Sequence, residues 1–204
     1  NPIEPKYVNI INIFGNTRTL DKVVRRELRF AEGDPLNPDL ITSATKDLQR
    51  LNIFKNIEIK ENYFNDEKSN IDIYLEEQPT GDFSVGASFE SLDGAVFVAN
   101  LNENNIGGTG RSVSFNINTS DTNTLYSFDV KEPHFTNIKM NLIYGLKYKN
   151  NDYSKTSSYN LNSFNSNIGV QYEFIDNLLH NLSLAYELED YEITDSSAVS
   201  SSIL

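Results

Sequence analysis

Leu75-Glu76-Glu77-Gln78-Pro79-Thr80-Gly81 separates two different kinds of sequence. Before it, apolar residues recur first at strand spacing, then at helical spacing, then at strand spacing again. After it, nearly every segment alternates apolar and polar residues with period two, and no helical stripe returns. Pro79 lacks a backbone donor and Gly81 permits positive φ, so a strand ending near Leu75 cannot simply run on. The sequence predicts two units, an α+β module over residues 1–80 and an antiparallel β-meander over residues 81–204.

Working back from the divide, residues 70–77 and 54–61 carry strand patterns, with the polar run 62–69 read as the hairpin loop between them. Leu40, Ile41, Ala44, Leu48 and Leu51 hold helical spacing, and Asn37-Pro38 is a helix start, a capping side chain followed by proline. Gly33-Asp34-Pro35 breaks an earlier helix whose stripe is Leu20, Val23, Val24 and Leu28, with Thr19 as the expected cap. Tyr7-Val8-Asn9-Ile10-Ile11-Asn12-Ile13-Phe14 is β-branched and aromatic, a strand that Gly15-Asn16 ends. The order β-α-α-β-β lets two short helices cover one face of a three-stranded sheet.

Forward of the divide, Phe83, Val85, Ala87 and Phe89 interleave with Ser84, Gly86 and Ser88. Similar series follow at Val113–Ile117, Tyr126–Val130, Ile138–Tyr148, Ile168–Phe174 and Leu182–Leu188, and with residues 95–101 they make about seven antiparallel strands. A soluble sandwich would turn the apolar face into a core, and an outer-membrane barrel would turn it to lipid. Three features favour the barrel: strands near the ~9–11 residues that cross a bilayer at a tilt, a Ser/Gly/Asn-rich opposite face, and aromatics near strand ends. Those aromatics are Tyr148, Tyr153, Tyr172 and Phe174, placed as an interfacial girdle would place them. Seven strands cannot close a barrel, so this reading expects strands beyond Leu204 and a chain that is part of a longer one.

The net charge of −12 is uneven, with 11 Lys+Arg against 14 Asp+Glu in residues 1–80 and 6 against 15 in the remainder. That acidity argues against a nucleic-acid partner, since phosphate binding needs a basic face. The chain contains no Cys and two His, His134 and His180, far apart in sequence, so no thiolate or His-based metal spacing exists. No signal peptide and no long apolar run are visible in these residues.

Val8-Asn9-Ile10, Gly15-Asn16-Thr17-Arg18-Thr19-Leu20-Asp21, Val24-Arg25-Arg26-Glu27 and Glu32-Gly33-Asp34 follow one another in an order that resembles a polypeptide-transport-associated (POTRA) domain of the BamA family of outer-membrane assembly factors. Leu48 to Ile57 is similar to that domain's second helix running into its second strand. The segment from Glu76 to Gly81 is similar to the family's exit into its barrel, and Asn104-Asn105-Ile106-Gly107-Gly108-Thr109-Gly110 and Glu132-Pro133-His134-Phe135 to its early barrel turns. The resemblance implies a POTRA module in the periplasm followed by the first strands of an incomplete 16-strand-type outer-membrane barrel. It further implies a machine without covalent chemistry that folds and inserts other barrels.

The implied partners are unfolded outer-membrane β-barrel proteins, accessory outer-membrane lipoproteins, periplasmic chaperones and the lipid bilayer, with no cofactor and no metal. The lateral-gate role falls on Phe83, Ser84, Val85, Gly86, Ala87, Ser88, Phe89 and Glu90, a strand edge that offers sequence-tolerant main-chain bonds. Phe54, Lys55, Asn56, Ile57, Glu58 and Ile59 form the expected free edge of the POTRA module, and Arg25, Arg26 and Arg29 a docking surface or, more simply, a dipole-complementing helix end. A related transporter of the same layout, for autotransporter assembly or two-partner secretion, and a soluble β-sandwich binding protein are the alternatives.

Weaker signals read as structural. Gly107-Gly108-Thr109-Gly110-Arg111 lacks the Gly-Lys-Ser/Thr ending of a phosphate loop and reads as a tight turn. Glu76-Glu77 and Glu187, Glu189 and Asp190 read as solvated charge at strand ends rather than as paired catalytic carboxylates. No nucleophile–base constellation is present, and an enzyme is the least expected reading.

Overall fold

The computed structural model describes residues 6–136, 139–175 and 178–194. Strand β1 (Tyr7–Phe14) forms where the β-branched run predicts it. A register shift between Val8 and Ile11 lets these two residues, three apart, both turn into the core. Gly15 ends the strand at φ +89, packed so closely on the Leu75 carbonyl that no side chain fits.

Helix α1 (Asp21–Arg25) is shorter than its apolar stripe predicts, and its N-cap is Leu20, without a side-chain cap, rather than Thr19. The Thr19 hydroxyl is buried and accepts from Asn105 Nδ2 at 2.9 Å, a partner 86 residues away that replaces the expected local bond. Helix α2 (Pro38–Arg50) starts as predicted, with Asn37 Oδ1 accepting from Asp39 N at 2.9 Å. Replacing Asn37 with Ala is expected to destabilise this helix by ~1 kcal/mol, read as faster amide exchange through its first turn.

Strands β2 (Phe54–Asn65) and β3 (Lys68–Glu77) run longer than predicted, and the expected loop 62–69 shrinks to a turn at Asp66-Glu67. The turn is held by Tyr63 OH donating to Asp66 Oδ1 at 2.9 Å and Glu67 N donating to Asn65 Oδ1 at 3.1 Å, so the ladder continues through polar residues. The sheet order is β1-β3-β2, with β1 parallel and β2 antiparallel to β3. Central β3 buries Ser69, Ile71, Ile73 and Leu75 on one face. Val23 and Val24 of α1 and Ala44 and Leu48 of α2 pack on that face with Val8, Ile11, Phe30, Ile53 and Phe54.

The second unit is one antiparallel sheet in the order of the chain: β4 (Gly81–Glu90), β5 (Gly94–Ile106), β6 (Arg111–Thr119), β7 (Asn123–Glu132), β8 (Met140–Asp152), β9 (Tyr159–Ile175) and β10 (Leu178–Ile193). A four-residue helix, α3 (Ser154–Ser157), lies between β8 and β9. The sandwich alternative needs a second sheet over the apolar side. Among the described residues that side is bare, with Phe83 69%, Phe89 81% and Leu182 75% exposed. The sheet is an open part of a barrel wall.

Paired positions show where the outward apolar face stops. Tyr126, Tyr148, Phe164 and Leu188 stand opposite one another across β7–β10, and the next outward row is Thr124, Asn150, Asn162 and Asp190. Tyr126 and Tyr148 stack at 6.3 Å, and Tyr148 OH donates to Asn162 Oδ1 at 3.3 Å, a phenol with its ring on the apolar side and its hydroxyl on the polar row. Tyr153 departs from the predicted girdle. It packs on Tyr159 at 5.2 Å, whose register puts it with the polar-facing residues of β9. Ile138 and the Phe174 side chain, both in predicted series, lie outside the described residues.

One turn crosses the predicted divide. Asn104–Arg111, which links β5 to β6, groups with the residues up to Thr80 rather than with the sheet.

Candidate functional site

Strand β4 stands at one end of the seven-stranded sheet and pairs with β5 from Gly81↔Glu103 to Glu90↔Gly94. Phe83, Ser84, Val85, Gly86, Ala87, Ser88, Phe89 and Glu90 are all exposed. Their outer backbone edge has no neighbouring strand among the described residues. An antiparallel edge ten residues long is a template for another strand, because its donors and acceptors are already spaced for a ladder.

In the module, β2 forms one edge of the three-stranded sheet. Phe54 is buried and Ile57 and Ile59 pack against the core, whereas Lys55, Asn56 and Glu58 are exposed. Charge sits along this edge, with Lys55 Nζ 3.1 Å from Glu76 and Lys60 Nζ 3.1 Å from Glu58.

The three arginines take different partners. Arg25 Nη1 lies 2.9 Å from Glu32 and its Nη2 donates to Ile11 O at 2.8 Å. Arg26 lies 3.6 Å from Glu27 and its guanidinium fills the space beside Gly110. Arg29 reaches back to buried Asp47 on α2 at 2.9 Å, where Arg50 joins at 3.2 Å.

Glu77, read from sequence as solvated, is 6% exposed. Its carboxylate accepts from Thr17 Oγ1 at 2.9 Å, Arg18 N at 3.0 Å and Thr19 N at 2.7 Å. Burial pushes this carboxyl up, but the hydrogen bonds from Thr19, Thr17 and Arg18 outweigh it and hold the pKa at about 2. The ordered loop in turn receives the β5–β6 turn. Leu20 N donates to Gly108 O at 2.9 Å, and Asn105 bridges Thr19 to Gly110 N, the latter at 2.7 Å. The bonding roles of Glu77, Asn105 and Glu32 are not legible in sequence, since each acts through partners distant in the chain. The one local signal was the density of glycine at 107–110.

Among the described residues no group of three His, Cys, Asp or Glu side chains is placed to hold a metal, and no helix is long and apolar enough to cross a membrane. The geometry of β2 and β4 is that of strand edges.

Comparison with known proteins bears on the same residues. The POTRA family, described as surface antigen variable number repeat, matches residues 6–78, and the Omp85 superfamily domain matches residues 105–203. The outer-membrane protein assembly factor BamA of Neorickettsia risticii is 26% identical over 185 residues, 91% of this chain and 25% of the relative. BamA of Neisseria meningitidis is 30% identical over 154 residues, 74% of this chain and 19% of the relative. The crystal structure of Haemophilus ducreyi BamA lacking POTRA domains 1–3 superposes with a TM-score of 0.77 at 24% identity, covering 93% of this chain and 36% of that one. CdiB from Acinetobacter baumannii gives 0.60 at 17%, covering 91% and 40%.

A POTRA module followed by antiparallel barrel strands, matched in that order, defines the class: residues 6–78 carry a POTRA domain and residues 105–203 match an Omp85 superfamily domain. Within it the chain is BamA-like, and it spans a quarter or less of the length of these two curated relatives. It is an outer-membrane protein whose POTRA module stands in the periplasm.

Proposed function

We propose that the chain carries the strand-accepting part of a machine that folds and inserts β-barrel proteins into the outer membrane. The observation that carries this reading is the exposed edge of β4, ten residues long and unpaired on its outer side among the described residues. An incoming strand gains a full ladder there without any demand on its own side chains, which suits clients of varied sequence. Gly86 lacks a side chain in the strand interior, which weakens that pairing enough for release. Edge β2 accepts extended client segments in the periplasm by the same chemistry, before they reach the barrel. Unfolded barrel proteins are the clients, and periplasmic chaperones and accessory lipoproteins the remaining partners. The activity is non-covalent.

The chain has no cysteine, so single introduced thiols report cleanly. With Ser88→Cys in the full-length protein, a client stalled during insertion and carrying a cysteine in a terminal strand is expected to form a disulfide, and the same client already folded is not. Crosslinking to a secreted passenger, with barrel clients ignored, would replace this reading by that of a transporter of the same architecture.

A further inference from the structure

The module's sheet has two edges, β1 and β2, and the β1 edge is covered from its start to Ile11. On the β1 side the backbone groups of Val8 and Ile11 that would receive a strand are already taken. Residues 33–36 run alongside as a short pseudo-strand: Val8 N donates to Asp34 O at 2.9 Å, Gly33 N to Val8 O at 2.8 Å and Leu36 N to Lys6 O at 2.7 Å. Tyr7 and Pro35 form an antiparallel bridge at the same place. Beyond this loop the edge continues to Ile11, where two side chains replace the missing backbone. Glu32 Oε1 accepts from Ile11 N at 3.3 Å, and Arg25 Nη2 donates to Ile11 O at 2.8 Å. The two side chains are joined at 2.9 Å, so together they present one acceptor and one donor, as a paired residue of a neighbouring strand does. The Arg25 guanidinium beside Glu32 also holds that carboxyl below its ordinary range, which keeps the pair charged.

We propose that Arg25 and Glu32 are an edge guard that closes the β1 side of the POTRA sheet to incoming strands and so directs strand addition to β2. This deepens the reading of the module as a strand-accepting domain and rests on it. A sheet with two open edges would bind clients in two orientations and would also pair with its own copies. The loop 33–36 alone covers the start of β1, and the ion pair extends the closure to Ile11, toward the middle of the strand. Polar side chains that satisfy an edge are one of the devices by which natural sheets avoid unwanted pairing.

The test uses the full-length protein in detergent and a synthetic peptide of the β10 sequence, Leu178–Ile193, with one terminal cysteine. Ile10→Cys reports on the β1 edge and Asn56→Cys on the β2 edge. With Arg25 and Glu32 intact, the peptide is expected to crosslink at position 56 and not at position 10. In the R25A/E32A background, crosslinking at position 10 is expected to rise about fivefold or more, the factor that removing a competing surface ion pair of ~1 kcal/mol gives, with position 56 unchanged. No rise at position 10 in a protein that keeps its circular dichroism overturns the guard. If that double variant fails to fold, R25Q/E32Q, which keeps the shapes and removes the charges, is read by the same two outcomes. Absence of crosslinking at position 56 in every background would overturn the β2 reading itself, while position 10 still reports on the guard.

Discussion

Replacing Glu77 with Ala is expected to lower the stability of the POTRA module by ~3 kcal/mol, the free energy that corresponds to moving a carboxyl from 4.5 to about 2. The carboxylate is buried and serves as common acceptor for a hydroxyl and two backbone amides of the loop after β1, so its loss leaves those donors unsatisfied. Amide exchange at Ile71 and Ile73, in the central strand, reads this cost directly and works in detergent. The sign of the pH dependence follows. A carboxyl with a depressed folded pKa contributes fully above its unfolded value of 4.5, and that contribution fades as pH falls toward about 2. The unaltered protein is therefore expected to lose module stability across that window, and the Glu77→Ala protein to lose less. Equal acid sensitivity in the two proteins would exclude Glu77 as the source.

A comparable loss is expected from Gly108→Ala. Gly108 sits at φ +72, and a Cβ there would strike the backbone carbonyl of Arg18, which cannot swing aside as a flexible side-chain tip does. Its own carbonyl accepts from Leu20 N, so displacing it also opens that bond. Strain and lost contact together give about 3 kcal/mol, seen as loss of protection at the Leu20 amide. Gly107 supplies the control. Its φ is +61, but a Cβ there meets nothing within 4 Å, so Gly107→Ala is expected to cost only the ~1 kcal/mol of a left-handed alanine. If the two substitutions cost the same, close packing of Gly108 on the loop is not what holds the turn.

Much of the fold was legible because local chemistry and tertiary structure agree. The β-branched run of β1, the Asn37-Pro38 start of α2 and the alternation from Phe83 onward each impose one structure, and the fold uses them as they stand. The misreadings share one cause, a distant partner overriding a local preference. Thr19 has the right chemistry for a cap, but Asn105 takes its hydroxyl. Glu77 has the composition of a wet strand end, but the loop 17–19 folds over it. The polar run 62–69 reads as a loop because pattern rules count apolar residues, whereas a hairpin ladder is built from backbone groups that any residue but proline supplies. The edge strands β2 and β4 were identifiable by position in the chain. Closure of the β1 edge was not, because it depends on Arg25 and Glu32 meeting at a third residue, Ile11.

The border on the outward face of the barrel strands has a further consequence. On β10 the outward apolar series ends at Leu188 and turns acidic at Asp190 and Glu192, and on β9 it ends at Phe164 before Asn162. Nine to eleven residues of tilted strand match a hydrocarbon band of about 25 Å, and the remaining residues of these long strands rise clear of it. The border row is thus sensitive to bilayer thickness. In a bilayer only a few ångströms thicker, lipid must thin locally or close over Asn162 and Asp190, and either response raises the energy of the wall on that side. Hydrophobic mismatch therefore acts on these strands first at the row where Tyr148, Phe164 and Leu188 end the apolar face.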